Sequence, residues 1–285
     1  MPTKIIDIHP HIISSDIKRY PLSPLGGEQS GWSRDRPAAL EQLISAMDEA
    51  GVDKAAIVQA STSYGYDNSY VADAVASQRG RFTGVFSVDV LAADAAEEIR
   101  YWAGRGLTGL RLFTTGSTMP GQAPWLEDAR LLPAWECAGE LGIPICVQMT
   151  PAAIPQIEKL LKRYPGFRVI IDHLTKPPIE DGPPYAGASF LFELARYRNL
   201  FLKLTTRNVV EAGRGKATPE TFFSRLVKEF GASRIAWGSN YPASEGTLAQ
   251  FVTEAKKALA ALPQQDQEWI LCRTAQALYP ALADN

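Results

Sequence analysis

"PAALEQLISAMDEAGVDKAAIVQAS" (37–61) contains the unit from which this fold is built. Residues 37–51 place apolar side chains at helical spacing and end in Gly51, a residue type common just beyond a helix C-terminus. Residues 54–61 follow as a short, almost continuously apolar run, which is typical of a parallel strand covered on both faces. A helix followed directly by a buried strand predicts α/β architecture.

The same alternation extends through the chain in both directions. Further apolar runs predict strands at 4–10, 82–89, 106–113, 144–150, 168–174, 200–206 and 234–240. Amphipathic segments predict helices at 69–80, 95–106, 131–142, 152–166, 188–199, 218–231, 246–262 and near 264–279. Eight strand–helix units predict an α/β fold of the (β/α)8 TIM barrel type, a single domain over residues 1–285. A doubly wound open sheet is the alternative, but no G-x-G-x-x-G or Walker sequence follows the first strand.

The composition limits the classes of function. Hydrophobic residues make up 46% and charged residues 21%, with a formal net charge of −2, so we expect a globular protein without attraction to nucleic acid or anionic membranes. Cys137, Cys146 and Cys272 are far apart, which predicts reduced core thiols. The segment "MPTKIIDIHPH" lacks the apolar run of a signal peptide, so we expect a cytoplasmic protein with no membrane partner.

Residues 14–37 form a long first loop rich in Pro, Gly and Ser. Loops of this length in compact domains are usually functional, and on a barrel this one would lie at the catalytic face. It carries Trp32, Arg34 and Arg36. We expect it either to act as a lid over the pocket or to pack against a second subunit of a homo-oligomer.

Polar residues collect at the predicted carboxyl ends of the strands, where barrel enzymes build their active sites. All three histidines of the chain lie there: His9 and His11 on the first strand and His173 on the sixth. Side chains two apart on a strand point the same way, so His9 and His11 can share a metal ion or a substrate oxygen. By the same alternation, Asp172 should point away from His173 into the barrel wall. Other candidates at strand ends are Gln59, Ser61, Tyr64, Arg111, Gln148, Lys176, Lys203, Arg207 and Asn240.

These motifs together resemble the amidohydrolase superfamily, in its amidohydrolase-related (amidohydrolase 2) branch. The resemblance covers the whole chain and rests on "DIHPH" (7–11), "GVDKAAIVQAS" (51–61), "YGYDNS" (64–69), "GLRLF" (109–113), "VIIDHLTKP" (169–177), "LKLT" (202–205) and "RIAWGSNYP" (234–242). Within this branch the chain is most similar to sugar-lactonase-like and pyrone-dicarboxylate-lactonase-like enzymes. The resemblance therefore implies a hydrolase that opens a small lactone bearing a carboxylate.

The resemblance also implies how metal and catalysis are arranged. Metal-binding members use a histidine pair on strand one, matched here by His9 and His11, a strand-five histidine and a strand-eight aspartate. The last two positions read Gln148 and Asn240, and neutral amides are poor Zn²⁺ ligands. We therefore expect no cofactor. The alternative is one divalent ion, Zn²⁺ or Mn²⁺, held by His9, His11 and water.

In a metal-free site of this type, His9, His11 and His173 are expected to donate hydrogen bonds to the substrate carbonyl. Arg111 and Arg207 are expected to hold carboxylates, and the remaining contacts fall to Ser61, Tyr64 and Gln148. For Arg111 an ion pair inside the barrel is the competing interpretation. We expect Lys203 to lie in a polar network in the barrel interior.

Asn240 is the main departure, because the lactonase pattern has an aspartate there as the base that activates water. An amide cannot accept a proton at a useful pH. Three interpretations stay open: His173 or His9 acts as the base; the chain is an inactive or engineered variant that binds ligand without turnover; or the reaction is a lactone isomerisation that needs no activated water. A metal-dependent decarboxylase of the same superfamily is a further alternative.

Overall fold

Eight parallel strands close into a barrel at the centre of the protein, as seen in a computed structural model that describes residues 4–116 and 122–284. They pair in the order of the chain: β1 (Ile6–Asp7), β2 (Lys54–Val58), β3 (Phe82–Phe86), β4 (Leu107–Phe113), β5 (Ile145–Gln148), β6 (Val169–Ile171), β7 (Leu200–Thr205) and β8 (Ile235–Gly238). The N–H of Ile8 donates to the carbonyl of Trp237 at 3.2 Å and so joins the first strand to the last. The predicted (β/α)8 barrel is confirmed.

Helices surround the barrel between its strands. Their bounds are α1 (Gly31–Asp35), α2 (Leu40–Ala50), α3 (Ser61–Tyr64), α4 (Ser69–Ser77), α5 (Ala95–Gly104), α6 (Leu132–Glu140), α7 (Ile154–Arg163), α8 (Ser189–Glu193), α9 (Thr206–Glu211), α10 (Pro219–Phe230), α11 (Leu248–Leu259), α12 (Gln264–Glu268) and α13 (Thr274–Leu278). The sequence did not predict α1, α3 and α9, because helices of four to six residues are too short to show periodicity. The predicted C-terminal helix is divided by a π-helical turn over Trp269–Arg273.

The core has two layers. A large cluster fills the space between the strands and the surrounding helices. A second cluster fills the barrel interior with inward side chains such as Ile6, Ile8 and Ile170, and the C-terminal segment packs against it through Leu278 and Tyr279. The amino-terminal end of the barrel is therefore filled by apolar side chains, so a site within the barrel has room only at the carboxyl end of the strands.

Two smaller sequence predictions can be compared directly with the structure. Cys137, Cys146 and Cys272 are all buried and unpaired, as expected for core thiols. Within residues 4–116 and 122–284, no helix combines the length and the apolar character needed to cross a bilayer.

Candidate active site

Three buried histidines meet at the carboxyl end of the barrel. His9 and His11 follow β1, and His173 follows β6. The ring of His9 lies in the middle: its centroid is 4.9 Å from that of His11 and 5.0 Å from that of His173. The structure thus brings together the three side chains that the strand pattern selects.

Hydrogen bonds to main-chain N–H groups fix the position of His9. Asp7 Oδ1 accepts the N–H of His9 at 2.9 Å and the N–H of Ser239 at 2.8 Å, so it ties the end of β1 to the end of β8. Burial raises the pKa of Asp7 to about 6. Gly238 allows this close approach, because a Cβ there would come within 2.6 Å of the Cβ of His9.

The protonation of His11 follows from its contact with the neighbouring strand. Its Nδ1 lies 2.8 Å from the carbonyl oxygen of Val58, and a carbonyl only accepts hydrogen bonds, so Nδ1 carries the proton. Burial and the positive charge of Arg111 lower the pKa of His11 to about 3. Near pH 7 the ring is therefore neutral, and Nε2 offers a lone pair. This differs from the expectation that His11 donates to the substrate, because Nε2 in this state is an acceptor.

His173 reaches the site through a run of left-handed backbone. Residues 173–176 all have φ between 53° and 60°, a conformation that costs non-glycine residues about 1–3 kcal/mol each. Asn208 Nδ2 holds the turn by donating to the carbonyl of His173 at 3.0 Å. The His173 Nδ1 lies 2.8 Å from Thr205 Oγ1, and burial lowers the pKa of His173 to about 3.

The expected orientation of Asp172 is wrong. Its side chain lies inside the barrel, in line with the inward-facing Ile170, because the chain leaves the strand only after Ile171. Asp172 Oδ2 accepts from Arg111 Nε at 2.7 Å, and Oδ1 pairs with Lys203 Nζ at 2.8 Å. Burial alone would raise the pKa of Asp172, but Lys203 and Arg111 outweigh it and hold that pKa well below its usual range.

The ion-pair interpretation of Arg111 is confirmed, and its role in holding a substrate carboxylate stays a prediction. It makes the buried ion pair with Asp172, and it also lines the cavity above. Its Nη2 donates to Gln148 Oε1 at 2.7 Å, and its guanidinium carbon lies 4.4 Å from the ring centroid of Phe113. The fully buried Lys203 confirms the predicted polar network in the barrel interior.

A cavity of about 240 Å³ opens above this network. Its lining includes the predicted site residues His11, Ser61, Arg111, Gln148, His173, Arg207 and Asn240. His9 and Tyr64 are not in the lining. Tyr64 is buried beside the cavity, where its hydroxyl accepts the N–H of Ser14 at 2.7 Å.

The charge of the cavity wall is one-sided. Arg111, Lys176 and Arg207 contribute positive charge, and no Asp or Glu lies among the described lining residues. In the sequence, Lys176 is recognisable only as a residue beyond a strand end. Its place in the wall depends on the left-handed turn, which Leu174 and Thr175 disfavour by residue type, so no signal in the sequence predicts it.

Asn240 lies in the cavity wall at φ 60°, a left-handed conformation that Asn tolerates better than most residues. Its Nδ2 donates to Ser244 Oγ at 3.0 Å. The amide nitrogen is therefore engaged away from the cavity, and Oδ1 remains as an acceptor without the basicity of a carboxylate.

The first loop forms part of the wall. Trp32 of α1 lines the cavity, with its ring centroid 5.2 Å from that of His11. Arg36 anchors the end of the loop by donating to the carbonyl of Ala243 at 3.1 Å. The loop thus covers the site from one side, and its opening as a lid stays a prediction.

The side chains in place do not fit a tightly held divalent ion. Within residues 4–116 and 122–284, no three His, Cys, Asp or Glu side chains converge to hold a metal. His9 and His11 supply imidazole, but the positions of the other expected ligands carry the amides Gln148 and Asn240. Arg111 and Lys203 also oppose a cation here, since both lower the pKa of the histidines by their positive charge.

Comparison with known proteins agrees with this architecture. A family model described as Amidohydrolase matches residues 6–281. The chain belongs to the amidohydrolase family. It is accordingly an enzyme of the hydrolase class.

Two named relatives are similar over most of the chain. An L-fucono-1,5-lactonase from Burkholderia ambifaria is 30% identical over 212 residues, which cover 73% of this chain and 70% of the relative. A 2-pyrone-4,6-dicarboxylate hydrolase from Comamonas testosteroni is 25% identical over 252 residues, which cover 85% of this chain and 78% of the relative.

Solved structures share the fold at lower identity. A protein from Pseudomonas putida described as a 2-pyrone-4,6-dicarboxylic acid hydrolase superposes with a TM-score of 0.79 at 23% identity, with full coverage of both chains (100% each). A 2,6-dihydroxybenzoate decarboxylase from Rhizobium superposes with a TM-score of 0.72 at 12% identity, over 98% of this chain and 99% of that one. At these identities the likeness extends to the amidohydrolase barrel alone.

Proposed function

We propose that this amidohydrolase opens a small lactone that bears a carboxylate, without a tightly bound metal. The observation that carries the proposal is the combination of three cations and no described carboxylate in a cavity wall that also holds neutral imidazoles. Guanidinium and ammonium groups in a partly closed site select an anionic ligand. Neutral imidazole supplies acid–base chemistry beside it.

The proposed reaction adds water across the acyl–oxygen bond of the ring. Water attacks the carbonyl carbon while its proton passes to His11 Nε2, the lone pair assigned above. The bond between the acyl carbon and the ring oxygen then breaks, and the imidazolium returns the proton to that oxygen. The product is a hydroxy acid, and no atom or charge is left over.

Substrate binding makes His11 a stronger base in this scheme. The positive charge of Arg111 is one cause of the lowered pKa of His11. A substrate carboxylate on Arg111 compensates that charge, so protonated His11 costs less free energy in the complex than in the free enzyme. Even at a pKa of about 3, the imidazole is nearly as basic as an aspartate, whose ordinary pKa is about 3.9.

Asn240 positions water in this proposal. Its Nδ2 is held by Ser244, which leaves Oδ1 to accept a hydrogen bond from the attacking water. The positive charge that Lys176 brings to the wall stabilises the negative charge that develops on the carbonyl oxygen.

The names of the two relatives support this substrate class. One is named a lactonase and the other a hydrolase of a pyrone dicarboxylate, and each matches more than two thirds of this chain. The decarboxylase likeness supports only the fold. The amide at position 240 favours one second candidate, a protein that binds such ligands without turnover.

Purified wild-type protein and Asn240→Asp should be tested on a panel of carboxylate-bearing and neutral lactones, with metal content measured on the same samples. We expect wild-type turnover, selectivity of about tenfold or more in kcat/KM for the anionic lactones, and no loss of activity with a chelator. Stoichiometric Zn²⁺ or Mn²⁺ that is required for turnover would overturn the metal-free mechanism. Binding without turnover in both proteins would establish the second candidate.

A further inference from the structure

Lys203 is a charged residue that the reaction scheme above does not use. It lies on β7 and is fully buried, and its Nζ is 2.8 Å from Asp172 Oδ1 and 3.6 Å from Cys146 Sγ. It is not among the residues that line the cavity. A lysine without solvent contact is costly unless its charge has a function or a complete set of partners.

The contacts of Lys203 set the charge balance of the site. Asp172 divides its two oxygens, Oδ1 to Lys203 and Oδ2 to Arg111. Two cations thus share one carboxylate, and the group has a net charge of +1. Asp7 is the other buried carboxylate nearby, and its charge also interacts with Lys203. It is held by the main-chain N–H groups of His9 and Ser239 and forms no ion pair within the described part of the chain, so it does not replace Asp172 as the partner of Arg111.

The excess positive charge is directed to the cavity. Of the two cations, only Arg111 reaches the cavity wall, while Lys203 is enclosed in the barrel. If Lys203 were neutral, Asp172 would compensate Arg111 alone, and this part of the wall would carry no net charge. A buried charge such as that of Lys203 acts strongly on neighbouring charges, because little water screens it.

We propose that Lys203 is a specificity-determining residue. By engaging the second oxygen of Asp172, it leaves Arg111 with uncompensated positive charge. The site is therefore selective for anionic over neutral ligands. The inference rests on the proposed function, because it presumes that Arg111 faces a substrate carboxylate. It assigns Lys203 no contact with the substrate. Its effect passes through Asp172 and Arg111.

Calorimetric binding of two ligands that are not hydrolysed can test this: a δ-lactam bearing a carboxylate and the same lactam with a carboxamide. In Lys203→Met we expect the Kd of the carboxylate ligand to rise about tenfold or more while that of the carboxamide changes less than about twofold. Lys203→Gln retains a hydrogen-bond donor to Asp172 without the charge and should behave alike, which covers the case in which Lys203→Met does not fold. Cys146→Ala removes the other contact of Lys203 at unchanged charge and should preserve the wild-type selectivity.

An equal rise in the Kd of both ligands would show a packing role for Lys203 and overturn the proposal. Unchanged selectivity, or a wild-type protein that binds neither lactam, would also overturn it. Failure of the proposed function gives a different result. In that case wild-type protein hydrolyses no lactone, whereas charge-selective binding of the lactams and its loss in Lys203→Met remain measurable.

Discussion

At the scale of single residues, the chemistry depends on which nitrogen of His11 carries the proton. The Val58 carbonyl fixes the proton on Nδ1 and leaves Nε2 as an acceptor on a residue that lines the cavity. Sequence shows that a histidine is present, but the carbonyl that orients it comes from a strand about fifty residues later. Its tautomer could therefore not be predicted from sequence.

The variant His11→Asn distinguishes the roles of the two ring nitrogens. The Asn amide can keep the hydrogen bond to Val58 near the position of Nδ1, but it has no counterpart of Nε2. We expect kcat on a carboxylate lactone to fall at least ~10²-fold, as for loss of one general base, with KM changed only a few-fold. Steady-state kinetics measure both, and an unchanged unfolding temperature controls for damage to the fold. A variant with wild-type kcat would remove His11 from the base role.

At the scale of elements, strand alternation predicts much of the site and fails at one turn. It correctly places His9, His11 and Arg111 at the strand ends that surround the cavity. It predicts the wrong direction for the Asp172 side chain, because it treats His173 as a strand residue that faces the site. His173 instead reaches the site through the left-handed turn at 173–176, whose residues give no sign of it in the sequence.

At the end of β8, Gly238 allows this strand to lie close to His9. A Cβ at this position would approach His9 Cβ to 2.6 Å and the His9 nitrogen to 3.1 Å, so backbone must move. We expect Gly238→Ala to lower the free energy of unfolding by about 1–3 kcal/mol. We also expect lower turnover, because a displaced His9 ring would shift the rings of His11 and His173 that pack against it. Urea denaturation measures the first and kinetics the second.

Gly104 provides the matched control for this substitution. It ends α5, and a Cβ there would meet nothing within 4 Å. Gly104→Ala should therefore leave stability equal or slightly higher, since alanine favours the helix. If both variants behaved alike, close contact at Gly238 would not be the cause of the loss.

At the scale of the whole molecule, the barrel follows from the sequence because eight apolar runs separated by amphipathic segments admit few topologies. Each predicted strand is present, in the predicted order. The net charge of −2 gave no indication of the cationic cavity, because it averages over the chain. Local charge depends on which side chains the barrel turns inward, which only the structure shows.

The buried titratable groups also determine how stability of the whole chain responds to acid. Burial lowers the pKa of His9, His11 and His173 well below that of an unfolded histidine, which is about 6.5. Below that pH the unfolded chain binds these protons and the folded chain does not, so acidification favours unfolding. Asp7 acts in the opposite direction between about pH 6 and ~3.9, since its folded pKa is raised to about 6.

Between pH 6 and pH 4 the unfolded chain therefore binds roughly two more protons than the folded chain. We therefore expect the free energy of unfolding to fall by roughly 3 kcal/mol per pH unit in this window. Urea denaturation at a series of pH values measures the slope, and His173→Asn should reduce it by about 1.4 kcal/mol per pH unit because one of the unfolded-state protons is removed. A slope that His173→Asn leaves unchanged would mean that His173 is already charged in the folded protein. His11→Asn gives the same test for the proposed base, because an unchanged slope there would mean that His11 lacks the neutral Nε2 that the reaction requires.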